Sequence, residues 1–237
     1  MGILIVTGTG TGIGKTVVTA AIAATALAAG SRVAVVKPAQ TGVTDGEAGD
    51  VAEIRRLAGE ELSGVELTRY PEPLAPATAA RRAGLPFLRM ERAAAAVRAL
   101  GRDHDLVLVE GAGGILVPFD YEGTTLADLA RLLEAPVVNV VTAGLGTLNA
   151  TALTAEALRH RGLECPGIVV GSFPADPGLA ERCNLTELPA AAGAPLLGVV
   201  PAGAGRLAPP RFRAAAPGWL APRLPGTRVP WPPGPRS

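Results

Sequence analysis

The chain has 237 residues, 48% hydrophobic but only 3% aromatic, and its 22 Lys and Arg against 21 Asp and Glu leave a formal net charge of +1. That balance, mixed along the chain, argues against binding to nucleic acid or to an anionic membrane surface. The two cysteines, Cys165 and Cys183, have neither CxxC spacing nor a histidine nearby, which disfavours a zinc site or disulfide framework and points to a reduced, cytoplasmic protein.

The apolar start from Met1 to Val6 has no basic leader and stops at Thr7 and Gly8, too short for a signal peptide or a membrane span, so Ile3 to Val6 reads as a strand. The loop Gly8-Thr9-Gly10-Thr11-Gly12-Ile13-Gly14-Lys15-Thr16 follows, then an Ala-rich helix from Lys15 to Ala29 with Gly30 as its stop,. Arg32 to Val36 is the next strand, followed by Lys37-Pro38-Ala39-Gln40-Thr41-Gly42 and a helix from Asp50 to Ala58. Four prolines in the stretch Tyr70 to Pro86, at 71, 73, 76 and 86, predict an extended surface excursion that can cover a site,.

A helix from Arg89 to Leu100 precedes the strand Leu106 to Val109, which ends on Glu110-Gly111-Ala112-Gly113-Gly114. Thr125 to Leu133 is helical, Pro136 to Val141 a strand, and Thr142 to Asn149 turns into a helix from Thr147 to Arg161. Strands at Gly167 to Val170 and Leu196 to Val200 complete the pattern,. Apolar strands alternating with helices imply an α/β fold, a doubly wound, mostly parallel sheet with helices on both faces and ligands at the carboxyl ends of the strands. A single domain is expected over residues 1–225, with a Pro-rich tail over 226–237 whose composition reads as disordered,.

The loop after the first strand carries the strongest chemistry. Backbone N–H groups and a helix start there face a phosphate, Lys15 supplies a cation for the terminal oxygens and Thr16 a hydroxyl for Mg2+. It is a variant P-loop, because Thr9 stands where the strict pattern has its first Gly. A hydroxyl cannot hold Mg2+ alone. Glu110, at a strand end, has the Walker-B position, and Asp50 serves on spacing equally as a metal ligand or a helix cap. Lys37 lies at a strand end that faces the same crevice, or is simply a solvated terminus. The Gly146 to Asn149 turn offers N–H groups to an anion, or is an ordinary cap by Thr147. Asp45, Glu47 and Asp120 are loop acids, and His104 and His160 fit ordinary structural positions.

Together GTGTGIGKT, KPAQTG, EGAGG and LGTLN, in this order, resemble the dethiobiotin synthetase family from Ile3 to about Pro201. The resemblance implies a homodimeric ligase that closes the ureido ring of 7,8-diaminopelargonate with CO2 or bicarbonate and ATP or another nucleoside triphosphate. It assigns Thr16, Asp50 and Glu110 to the metal, and Lys37, Lys15 and Thr11 to the reacting groups. Gly12, Ile13, Gly14, Lys15, Thr16 and Val17 would bind nucleotide, joined by Gly171, Pro201, Ala202 and Gly203. Thr41, Gly113, Gly146, Thr147, Leu148 and Asn149 would bind the organic substrate, the last four from the partner subunit. The chain departs from the usual pattern in having Gly10 and Gly12 in place of loop acids, Ala150 in place of a His, and Gly171 in place of the Asn that reads the purine. Two rival readings are a partition-type ATPase, whose signature Lys is replaced here by Gly10, and the synthetase domain of a cobyrinate-type amidotransferase, which would be followed by a glutaminase domain.

Overall fold

Runs of Val, Ile and Leu without polar alternation are stable only when covered on both faces, and a parallel sheet between two helical layers provides that cover. The computed structural model describes residues 2–220, and in it these runs become strands. In chain order the first elements are β1 (Gly2–Gly8), α1 (Lys15–Ala28), β2 (Val33–Lys37), β3 (Gln40–Thr41), α2 (Asp50–Ala58), β4 (Ser63–Glu66) and β5 (Arg69–Tyr70). Next come α3 (Pro76–Ala83), α4 (Met90–Leu100), β6 (Leu106–Glu110), α5 (Leu126–Leu133), β7 (Val137–Val141) and α6 (Thr147–His160). The last are β8 (Ile168–Phe173), α7 (Leu179–Ala192), β9 (Leu196–Pro201), a 3-10 turn at Ala204–Arg206 and α8 (Pro209–Trp219).

The main sheet has seven strands in the order β4-β2-β6-β1-β7-β8-β9, and its neighbours pair in parallel. β1 lies at the centre, with Ile5 in register with Val109 on one side and Val137 on the other. Strand order reverses at β1, so the crevice at its carboxyl end is where such a sheet binds ligands. Leu4 and Val6 pack towards α1, α2 and α8, against Ile22, Ile54 and Phe212. Ile5, Val107 and Val137 face Val97 of α4, Leu129 of α5 and Leu158 of α6. Small Ala side chains in α1 (Ala20, Ala21, Ala23) are fully buried, so the helix lies close on the sheet.

The segment Tyr70 to Pro86 differs from the expected extended excursion. Tyr70 is fully buried in β5, which pairs with β3, and Pro76 opens α3. A proline at a helix start forfeits an N–H that has no partner anyway, so the residue that suggested coil here begins a helix. The Pro-rich tail expected over 226–237 lies outside the described residues.

Candidate functional site

β1 delivers Gly8 to the carboxyl edge of the sheet, and the chain turns through the glycine-rich loop into α1. Gly14 caps α1 at φ 97°, a left-handed conformation that glycine tolerates best,. The helix start has no side-chain cap bond and no acid in its first turn, an arrangement that leaves its N–H groups open to an anion,. Lys15, buried, crosses the loop and donates from Nζ to Gly10 O at 2.7 Å. Burial, and then repulsion from Lys37, hold its pKa below the ordinary lysine value. A polyanion between these two ammonium groups relieves that repulsion.

Lys37 ends β2 and is almost fully buried. Its Nζ stands 2.8 Å from Glu110 Oε1 and 2.5 Å from Asp50 Oδ2, and donates to Gly111 O at 3.1 Å. Burial alone would lower its pKa, but the carboxylates of Glu110 and Asp50 outweigh it and hold the lysine protonated above its usual range,. Thr16 Oγ1 donates to the same Glu110 Oε1 at 3.0 Å, and Glu110 Oε2, fully buried, has no hydrogen-bond partner among the described residues. The spacing leaves Lys37 and Asp50 open to bland readings; in the structure both line one cavity with Lys15, Thr16 and Glu110. Gly49, not Asp50, caps α2; the Asp50 N–H donates to Gln40 Oε1 at 2.9 Å while its carboxylate reaches Lys37.

These groups line one cavity of about 690 Å3. Thr11, Gly12, Gly14, Val17, Thr41 and Gly113 share it with the lysines, Thr16 and the two acids, and Pro73 to Pro76 wall its outer side. A smaller cavity of about 220 Å3 lies where Gly12, Gly14 and Val17 face Gly171, Pro201 and Gly203, with Arg206 on its lining. Ala202 is exposed, outside both linings, with its N–H donating to Phe173 O at 2.7 Å. Ile13 lines neither cavity and belongs to the core beneath the loop.

The Gly146 to Asn149 turn also lies outside these cavities. Its cap is Gly146 at φ 85°, and Thr147 Oγ1 turns back to Thr142 O at 2.7 Å, so Thr147 does not cap α6 as one reading of the sequence had it. The loop acids stay local: Glu47 accepts from the Thr44 N–H and Asp120 from the Thr124 N–H. His104 bridges Leu100 O and Ser63 Oγ, and His160 rests on Glu156 O near the end of α6.

A family model described as an AAA domain matches residues 3–205. The chain is 63% identical to the ATP-dependent dethiobiotin synthetase BioD of Streptomyces coelicolor over 96% of its own length and 95% of that protein. It is 64% identical to the protein of the same name from Saccharopolyspora erythraea, covering 95% of this chain and 98% of the other. The chain belongs to the dethiobiotin synthetase family.

Solved structures show how widely the fold of this synthetase family is shared. The MinC:MinD cell division complex of Aquifex aeolicus aligns with TM-score 0.57 at 15% identity, over 91% of this chain and 86% of that one. A ParA family ATPase of Chlorobium tepidum gives TM-score 0.56 at 16% identity, over 91% of each chain. At that identity the likeness is one of architecture. The partition-type reading therefore keeps the fold, and the sequence relationship assigns the chain to the synthetases.

Two contributors to the site were not anticipated. Gln40 stands inside KPAQTG, where the local pattern does not distinguish it, and it ties α2 to β3 by accepting from the Asp50 N–H. Arg206 follows the composition shift after Val200, where nothing in the local pattern marks it out.

Proposed function

We propose that the chain is a nucleoside-triphosphate-dependent dethiobiotin synthetase, acting on 7,8-diaminopelargonate with CO2 or bicarbonate. The observation that carries the reading is the convergence of Lys15, Lys37, Asp50 and Glu110 on one cavity at the end of β1. One substrate amine adds to CO2 and loses a proton, giving a carbamate. A carbamate oxygen attacks the γ-phosphorus and the nucleoside diphosphate leaves. The second amine then attacks the carbonyl carbon of the mixed anhydride and phosphate departs as the ring closes.

Each step develops negative charge on oxygens that lie between fixed cations, so the protein's task is orientation and charge stabilisation. Lys15 and the N–H groups opening α1 hold the terminal phosphates. Lys37, fixed by two carboxylates, faces the carbamate and the transferring phosphoryl group, with the Thr11 and Thr41 hydroxyls beside them. Hard oxygen donors suit Mg2+, and the unpartnered buried Oε2 of Glu110 fits a cation,. Thr16, Asp50 and Glu110 would hold that ion, which when bound neutralises phosphate charge.

The substrate carboxylate is assigned to the Gly146 to Asn149 turn of a second subunit, making the working unit a homodimer. Leu145 and Leu179, 91% and 72% exposed beside the starts of α6 and α7, supply an apolar surface that association would cover,. No helix among the described residues is long and apolar enough to cross a membrane, and a cytoplasmic location is the corresponding proposal. The test is phosphate release from nucleoside triphosphate with bicarbonate, with and without the diamine. Diamine-dependent release that Lys15→Ala abolishes is expected; release indifferent to the diamine rejects the assignment.

A further inference from the structure

β8 passes against the phosphate loop at Gly171, with no side chain between the two backbones. An ideal Cβ at Gly14 falls 2.4 Å from Gly171 O, and one at Gly171 falls 2.1 Å from Ile13 O. Restoring ordinary contact at 3.4 Å therefore demands a backbone shift of about 1 Å or more. Gly171 is not among the glycines with positive φ, so its own conformation does not require glycine. The close approach of two backbones does. A softer neighbour, Val140 Cγ1, lies 2.7 Å from the same Cβ position.

Gly171 also lines the smaller cavity together with Gly12 and Gly14. The residue that leaves the base without a side-chain reader is thus the one on which the loop rests. The geometry points to Gly171 as a positioning residue for the phosphate loop, its bare backbone buttressing Ile13 and Gly14 so that the N–H groups opening α1 hold the triphosphate. A side chain at 171 is then felt at the phosphates before it is felt at the base. Placing Asn there does not install purine selectivity in this chain; it displaces the loop. The inference rests on the phosphate-binding reading of Gly8 to Thr16, and the experiment separates the two.

Tripolyphosphate with Mg2+ is a ligand with phosphates and no base. Calorimetric titration of the wild-type chain with it, and with ATP and CTP, sets the reference; no binding of tripolyphosphate fails the loop reading and the inference with it. Gly171→Ala and Gly171→Asn are expected to lose affinity for all three ligands by a common factor of roughly ten to a hundred, the scale of a 1 Å misplacement. Unchanged tripolyphosphate affinity, or a change confined to one base, overturns the proposal. Val140→Ala in the Gly171→Ala background removes the side-chain obstruction and leaves the carbonyl one. Recovered tripolyphosphate affinity in that double variant would assign the loss to Val140 and overturn it too. Hydrogen exchange of the wild-type chain tests the contact without a substitution: amides of 13–16 and of 170–172 are expected to open together, and a loop that opens while 170–172 stay protected refutes the buttress.

Discussion

Lys37 Nζ and Glu110 Oε1 meet at 2.8 Å, joining the end of β2 to the end of β6 through an ion pair that is almost wholly out of solvent. The hydroxyl of Thr16 shares that oxygen at 3.0 Å, so the start of α1 is held by it as well. Removing one partner of a buried pair leaves the other charge desolvated, which costs about 3–5 kcal/mol. Glu110→Ala should lose stability on that scale in urea unfolding and lose diamine-dependent turnover. A variant of wild-type stability would show that Asp50 alone suffices for Lys37.

Lys37→Gln separates binding from chemistry. If its charge acts mainly on the carbamate and the transferring phosphoryl group, kcat should fall by about 2–4 kcal/mol of barrier, the scale of one lost oxyanion donor, with a smaller change in nucleotide affinity. Steady-state kinetics with a separate nucleotide titration measure both, and a mutant impaired only in affinity contradicts the role.

The sheet and the phosphate loop were legible because their signals are local and redundant: apolar runs, glycine stops, and a lysine and a threonine at a strand-to-helix turn. Elements at the periphery were not. β4 reads Ser-Gly-Val-Glu and is only half-buried at the sheet edge, so it has no apolar run to show. α7 contains Pro189, and α8 begins at Pro209 and contains Pro217, so their composition mimics coil and only packing makes them helices. Within the site, the positions of Lys37, Asp50 and Glu110 were readable from strand and helix ends. The 73-residue separation that brings Lys37 to Glu110 is a product of strand order, which local pattern does not contain.

An association through the α6 and α7 starts should respond to a charge on that face. Leu179→Glu is expected to shift sedimentation from dimer to monomer and raise the KM for the diamine, leaving nucleotide binding intact. A fully active wild-type monomer in analytical ultracentrifugation sinks the shared-site reading.

With no side-chain amide at Gly171 to read a purine, affinity should reside mainly in the triphosphate and its cation, so CTP, GTP and UTP are expected to serve alongside ATP. Comparison of kcat/KM over the four nucleotides decides it. An ATP preference of about a thousandfold or more would show that another residue reads adenine.

The two thiols should differ in reactivity. Burial raises Cys165 from 9.0 to about 11, while Cys183 is exposed. A raised folded-state pKa favours the folded chain below the unfolded value, and the contribution is lost as pH climbs from 9.0 through about 11,. At pH 8 alkylation should modify Cys183 quickly and Cys165 slowly in the folded chain, with peptide mass spectrometry as the readout. Equal rates contradict the partial burial of Cys165.

β1, which precedes every other described strand in the chain, is also the central one, and both its partners lie far downstream: Ile5 waits for Val109 and for Val137. Loop-closure entropy must be overcome before either pairing stabilises it, so nucleation is slow and non-local. The nascent chain therefore carries an apolar strand without neighbours, and a phosphate loop without a scaffold, until β7 has been synthesised. Nucleotide cannot template the fold early, and co-translational ligand binding should begin only after residue 141 has cleared the exit tunnel.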